Sequence, residues 1–153
     1  MANKRFAAIV REQTQAAIKD GAKPLIDIFS EDDGGAYLSP QLLINVDHSM
    51  TIMRDETFGP VVGIMPVKDD AEALALINDS EFGLTASLWT SDLDRATALG
   101  NEIETGTVFI NRCDYLDPSL CWTGVKNTGR GGSLSEIGFH NVTRPKSFHF
   151  KKN

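Results

Sequence analysis

One stretch of this sequence joins an acid, an aromatic ring and an imposed bend. In Asp55-Glu56-Thr57-Phe58-Gly59-Pro60, Glu56 and Phe58 stand two residues apart. An extended backbone turns such a pair to one side. A carboxylate there can accept hydrogen bonds from a ribose diol, and an aromatic face can pack on a flat ring. The competing reading is a loop acid beside a core phenylalanine. Cys113 and Cys121 are the candidate nucleophiles. A thiol becomes reactive when a nearby base or cation lowers its pKa. Arg112 beside Cys113 would help and Asp114 would oppose, and no histidine lies in the segment. Structural thiols are the competing reading. Gly124-Val125-Lys126-Asn127-Thr128-Gly129-Arg130-Gly131 has the glycines of a phosphate-cradling loop but lacks its Lys-Ser/Thr pair. It reads instead as a shaped turn in which glycine allows close backbone approach. His48, His140 and His149 have no metal-ligand spacing with each other or with the cysteines, so no metal site is expected.

The elements that must position these groups follow from hydropathy. Phe6, Ile9, Val10 and Ala17 repeat at helical spacing from Asn3 to Asp20, and Gly21 stops the helix. Strands are expected over 24–29, 42–46, 61–67, 84–90 and 107–110, and a closing one over 147–151. The run 61–67 is apolar throughout, as in a strand covered on both faces, with Pro66 limiting its end. Glu31-Asp32-Asp33-Gly34-Gly35 is a turn signal. Asp69-Asp70 begins a helix to Asn78. Ser91 and Asp94 have capping-box spacing ahead of a helix that buries Ala96, Leu99 and Ile103. A short helix is expected over 134–139. Strand–helix alternation of this kind is the βαβ signature of an α/β fold. Between Arg112 and Gly132 the periodicity stops; a loop of that length is usually functional.

The chain has 153 residues, 41% of them hydrophobic, enough to bury a core and to exclude wholesale disorder. Net charge is −6, and no Lys/Arg stripe suits a phosphate backbone, so nucleic-acid binding is not expected. Arg144, Lys146, Lys151 and Lys152 read as a solvated end. Two cysteines make no disulfide framework, and no apolar run has membrane-spanning length. A cytoplasmic protein without membrane contact is the expectation.

Four motifs carry a family resemblance. Arg54-Asp55-Glu56-Thr57-Phe58-Gly59-Pro60-Val61 resembles the E-x-F-G-P-V motif of the NAD(P)-dependent aldehyde dehydrogenases. Phe82-Gly83-Leu84-Thr85-Ala86-Ser87-Leu88-Trp89-Thr90 is similar to their Y/F-G-L-x-A-S-V-W/F-T, and Gly106-Thr107-Val108-Phe109-Ile110-Asn111 to their G-T-V-x-x-N. The glycine loop resembles G-x-K-x-S-G-x-G with Thr128 for serine. The order and spacing of the set are more specific than any one member. The sequence departs from the family at Cys121-Trp122-Thr123-Gly124, where P-F-G-G is common, and at Gly132-Ser133, where Arg-Glu is common.

The resemblance implies an α/β fold: the greater part of a three-layer αβα catalytic domain over 1–140, with a C-terminal oligomerisation strand and tail over 141–153. It implies that Glu56 holds the nicotinamide ribose of NAD or NADP and that Phe58 lies against the nicotinamide. Asp114, Tyr115, Leu116 and Trp122 would line the aldehyde tunnel. In the family a cysteine thiolate attacks the aldehyde, the thiohemiacetal gives hydride to NAD(P)+, and base-activated water hydrolyses the thioester. The G-Q-x-C and E-L-G-G motifs that supply nucleophile and base are absent from this sequence. No catalytic residue is therefore assigned here, and Met1 is read as an engineered or a truncated-frame start, not the start of the enzyme. The implied partners are a small-molecule aldehyde and further copies of the chain. Two other classes stay open: a self-associating assembly module without catalysis, and an independent thiol enzyme.

Overall fold

A computed structural model describes residues 1–27, 34–113 and 115–152. Residues 28 and 29 of the second expected element, the Glu31–Asp33 cluster and Asp114 lie outside the described residues. Two compact units divide the chain, Met1–Lys68 and Asp69–Asn153.

In the first unit, α1 (Lys4–Lys19) begins where Asn3 leaves the extended region and its side-chain oxygen accepts from the Phe6 N–H. Ala7, Val10, Thr14 and Ala17 form its buried stripe, as their helical spacing requires. Thr14 is buried without cost because its hydroxyl donates to the Val10 carbonyl at 2.7 Å. Gly21 ends the helix at φ +112°, a conformation that disfavours a side chain. β1 (Lys23–Pro24) is shorter than expected and pairs antiparallel with β2 (Gln41–Ile44). β2 pairs parallel with β3 (Val61–Ile64), in register Gln41↔Val61. The crossover between them contains α2 (Thr51–Arg54). Ala17, Ala22, Leu43, Val46, Met50 and Ile52 make the core.

The expectation that β3 is covered on both faces is corrected. Val62 is 56% exposed and Ile64 47%, whereas Val61 and Gly63 are half-buried or tightly packed. A Cβ on Gly63 would stand 2.6 Å from the Met53 sulfur and 3.0 Å from Val46 Cγ2, so a side chain at this inward position would have to displace Met53. Within the described residues, chain covers only one face of the strand.

In the second unit, Asp69 caps α3 (Asp70–Asn78) by accepting from the Glu72 N–H at 2.9 Å. The strand expected over 84–90 is shortened to 85–88, and a separate two-residue strand precedes it. β4 (Phe82–Gly83) pairs antiparallel with β8 (Val125–Lys126), and β5 (Thr85–Leu88) pairs parallel with β6 (Thr107–Ile110). The crossover helix between the parallel pair is α4 (Leu93–Glu102). Its cap is Asp92, not Ser91: the Asp92 carboxylate accepts from the Arg95 N–H at 2.9 Å. Ala96 and Ile103 are buried as expected, with Leu99 partly so. β7 (Trp122–Thr123) pairs with β9 (Gly132–Ser133), ahead of α5 (Ser135–Val142). The strand expected at 147–151 has no ladder partner among the described residues. Its alternation survives: the Phe148 and Phe150 rings stack with centroids 6.1 Å apart.

These elements make the chain an α/β fold, with parallel strand pairs joined by helical crossovers. No described helix is long and apolar enough to cross a membrane.

Candidate functional site

The bend at 55–60 is built by a succession of short backbone closures. Asp55 ends α2 by donating its N–H to the Thr51 carbonyl at 2.8 Å and leaves in extended conformation. The Gly59 N–H then donates to Thr57 O at 3.0 Å, a three-residue turn centred on Phe58. Val61 N–H donates to Gly59 O at 2.8 Å. The Pro60 carbonyl accepts from the Gln41 N–H at 2.7 Å, which fixes the bend to the start of β2. Gly59 is required for space: a Cβ there would stand 2.5 Å from Val10 Cγ2 on α1.

Burial across this bend alternates. Glu56 is exposed, Thr57 is half-buried with its hydroxyl inward, and Phe58 is 82% exposed. Thr57 thus sits inward between two exposed neighbours. The core-phenylalanine reading therefore fails, since a buried ring would not be mostly solvated. Glu56 has no hydrogen bond or ion pair to the described residues. A carboxylate with open lone pairs and a bare ring, carried by a braced bend, suit a diol and a flat heterocycle.

In the second unit Asp114 lies outside the described residues. Tyr115 is held by the Arg112 guanidinium, 3.8 Å above its ring centroid. Tyr115 and Trp122 share a cavity of about 80 Å³ with Phe109, Leu120, Cys121 and Leu134. Leu116 is exposed and does not line it. Cys121 is half-buried in this cavity, which Arg112 and Asp117 also line, and Cys113 is exposed. Among the described residues no three His, Cys, Asp or Glu side chains gather as a metal site.

Lys126 decides the role of the glycine loop. Its ammonium donates to Asn78 O at 2.7 Å and Ser80 O at 3.0 Å, and pairs with Glu104 at 2.6 Å. A cation at the carbonyl end of α3 is favoured by the helix dipole. Nearby, Thr128 Oγ1 accepts from the Gly83 N–H at 2.8 Å, and a Cβ on Gly106 would overlap Thr123 O. Asn78 binds the Glu102 carbonyl and the Glu104 N–H, both at 2.8 Å. Asn111 clamps Thr90 N–H and C=O in the same way at 2.8 Å. These motif residues brace loops, as the shaped-turn reading expects of the glycine segment. Spacing alone did not single out Asn78, Asn111 or Lys126 as braces. A polar side chain bonded to backbone from a distant element leaves no periodic signal.

The aldehyde dehydrogenase family model matches residues 1–148. The Escherichia coli succinate semialdehyde dehydrogenase Sad is 39% identical over 131 residues, 86% of this chain and 28% of that protein. A Mycobacterium tuberculosis aldehyde dehydrogenase complexed with NAD+ superposes with TM-score 0.85 at 31% identity, covering 92% of this chain and 29% of that one. An NADP-dependent glyceraldehyde-3-phosphate dehydrogenase from Bacillus halodurans, complexed with NADP, gives 0.85 at 36% identity, covering 93% and 29%. The chain thus spans less than a third of the length of these relatives. Over that span, the chain belongs to the aldehyde dehydrogenase family.

Proposed function

We propose that this chain supplies the C-terminal portion of an NAD(P)-dependent enzyme that oxidises an aldehyde to a carboxylic acid. The reading rests above all on the outward-facing pair of Glu56 and Phe58 on either side of inward Thr57. The Glu56 carboxylate would accept hydrogen bonds from the nicotinamide ribose, and the Phe58 ring would lie against the nicotinamide. Bound NAD or NADP supplies the hydride acceptor. Holding that acceptor close to the donor carbon is the contribution of this segment, because misplacement by about 1 Å can cost ~100-fold in rate. Asp114, Tyr115, Leu116 and Trp122 would wall the aldehyde channel, with Tyr115 and Trp122 favoured by their shared cavity.

No residue of this sequence matches the family's nucleophile or general base. No histidine lines the cavity that holds Cys121, and Cys113 has no adjacent base in sequence. The chain alone is therefore inactive. Purified chain given a panel of aldehydes with NAD+ or NADP+ should yield no absorbance at 340 nm above blank. Steady turnover abolished by a thiol reagent would overturn this and favour an independent thiol enzyme.

A self-associating role is supported by one observation. Phe148 and Phe150 stack as one apolar face while 69% and 80% exposed. An edge strand without a neighbour seeks one on another chain. Residues 141–153 would then be the oligomerisation strand and tail, and 1–140 the partial catalytic domain, of a cytoplasmic homo-oligomer. Sedimentation of the chain with and without 144–153 tests it: the full chain should associate and the shortened one should not.

A further inference from the structure

Three side-chain oxygens among the described residues are buried without a hydrogen-bond partner: Gln13 Oε1, Gln41 Oε1 and Thr57 Oγ1. They sit on three elements that meet at the bend: α1, the start of β2, and the bend itself. Gln41 gives its backbone N–H to Pro60 O at 2.7 Å. Thr57 closes the turn onto Gly59 at 3.0 Å. Gln13 lies one helical turn beyond Val10, whose methyl groups pack on Gly59. Gln41 is only 2% exposed. Its amide orientation is fixed, because Nε2 is surrounded by acceptors: Pro40 O at 2.9 Å, Ser39 O at 3.1 Å and Ser39 Oγ at 3.2 Å. Turning the amide over would place its oxygen against those oxygens. Gln41 Oε1 must therefore face the other way, and it needs a donor.

Leaving three such atoms unpaired would be costly. Their chemistry matches one ligand. Two amide oxygens only accept, and a threonine hydroxyl can donate. A water molecule offers two protons and a lone pair, and buried waters typically make about three such bonds. We propose that a buried water sits behind the Gly59–Pro60 bend, donating to Gln13 Oε1 and Gln41 Oε1 and accepting the proton of Thr57 Oγ1. It ties α1, β2 and the bend together. By holding Thr57 inward it keeps Glu56 and Phe58 outward, which makes Thr57, Gln41 and Gln13 positioning residues. That last step rests on the cofactor reading above; the water itself does not.

The sign of a stability change separates the possibilities. If the Thr57 hydroxyl were an unpaired group, the near-isosteric Thr57→Val would remove a burden and raise Tm. With the water bound, Thr57→Val strands it and lowers Tm by about 3–6 °C. Thr57→Ser, which keeps the hydroxyl, should stay closer to the parent. Amide exchange in a peptide spanning 55–61 should quicken in the valine variant and return towards parent in the serine variant. A raised or unchanged Tm with valine would overturn the proposal. A crystal structure of the unmodified chain decides independently of any variant. Solvent density within hydrogen-bond reach of all three oxygens supports the site. Direct side-chain bonds among them, or no density, overturns it while leaving the cofactor reading intact.

Discussion

Gly59→Ala tests how the bend is seated. The new Cβ would stand 2.5 Å from Val10 Cγ2, 3.1 Å from Cγ1 and 3.4 Å from the Met1 Cε. Ordinary contact begins near 3.4 Å, so relief requires a movement of about 0.9 Å. Val10 cannot easily yield. It is 2% exposed, and a β-branched side chain in a helix has essentially one good rotamer. The bend must therefore shift, at about 1–3 kcal/mol for an overpacked core position. Gly59 is not among the glycines at positive φ, so no backbone strain adds to this. In urea, with a slope of about 2 kcal/mol per M, the midpoint should fall by roughly 0.5–1.5 M at unchanged slope. Val10→Ala alone should also destabilise, by loss of buried methyl groups. The double variant should be little worse than Val10→Ala, because the clash has gone, giving a coupling of about 1–2 kcal/mol. Additivity within ~0.5 kcal/mol, or a neutral Gly59→Ala, would refute this packing.

Gly106→Ala should be the more damaging glycine substitution, above about 3 kcal/mol in equilibrium unfolding, because its Cβ would overlap the Thr123 carbonyl and both partners are backbone. By contrast Gly100→Ala, inside α4 with only an ordinary 3.4 Å contact to Val108 Cγ1, should stabilise by about 0.5–1 kcal/mol. The Arg95 hydrogen bonds hold Asp70 below its ordinary pKa of 3.8, so its folded-state contribution is complete at neutral pH and is lost as acid protonates it. The stability difference between parent and Asp70→Asn should accordingly be largest above about pH 5, close as pH falls below about 4, and shrink in high salt.

Long periodic elements are legible in the sequence. α1 and α4 stand where hydropathy puts them, because burial of one face writes a period into the residues, while α3 stands where its acidic start puts it and β6 where its short apolar run does. Across 56–58 burial alternates, exposed Glu56, half-buried Thr57 and exposed Phe58, a pattern that needs only three residues. Other features had no such record. β7, β8 and β9 are two residues each, too short to carry a period. Pairing, not pattern, sets Phe82–Gly83 apart from the strand that begins at Thr85, since β4 pairs with β8 and β5 with β6. The exposure of Val62 and Ile64 depends on what packs over β3, and an apolar run cannot tell a covered strand from a bare one. Asp92 displaced Ser91 as cap because either side chain can accept the orphan N–H, and the backbone enters the helix at Asp92.

The central claim is that Glu56 and Phe58 grip the nicotinamide half of a dinucleotide. Titration of the isotope-labelled chain with nicotinamide mononucleotide, followed by NMR, meets that claim most directly. Millimolar ligand should shift the resonances of Glu56 and Phe58. Adenosine monophosphate should not shift them, and Glu56→Gln and Phe58→Ala should each weaken the response. Unmoved Glu56 and Phe58 signals, or equal shifts with adenosine monophosphate, would contradict it.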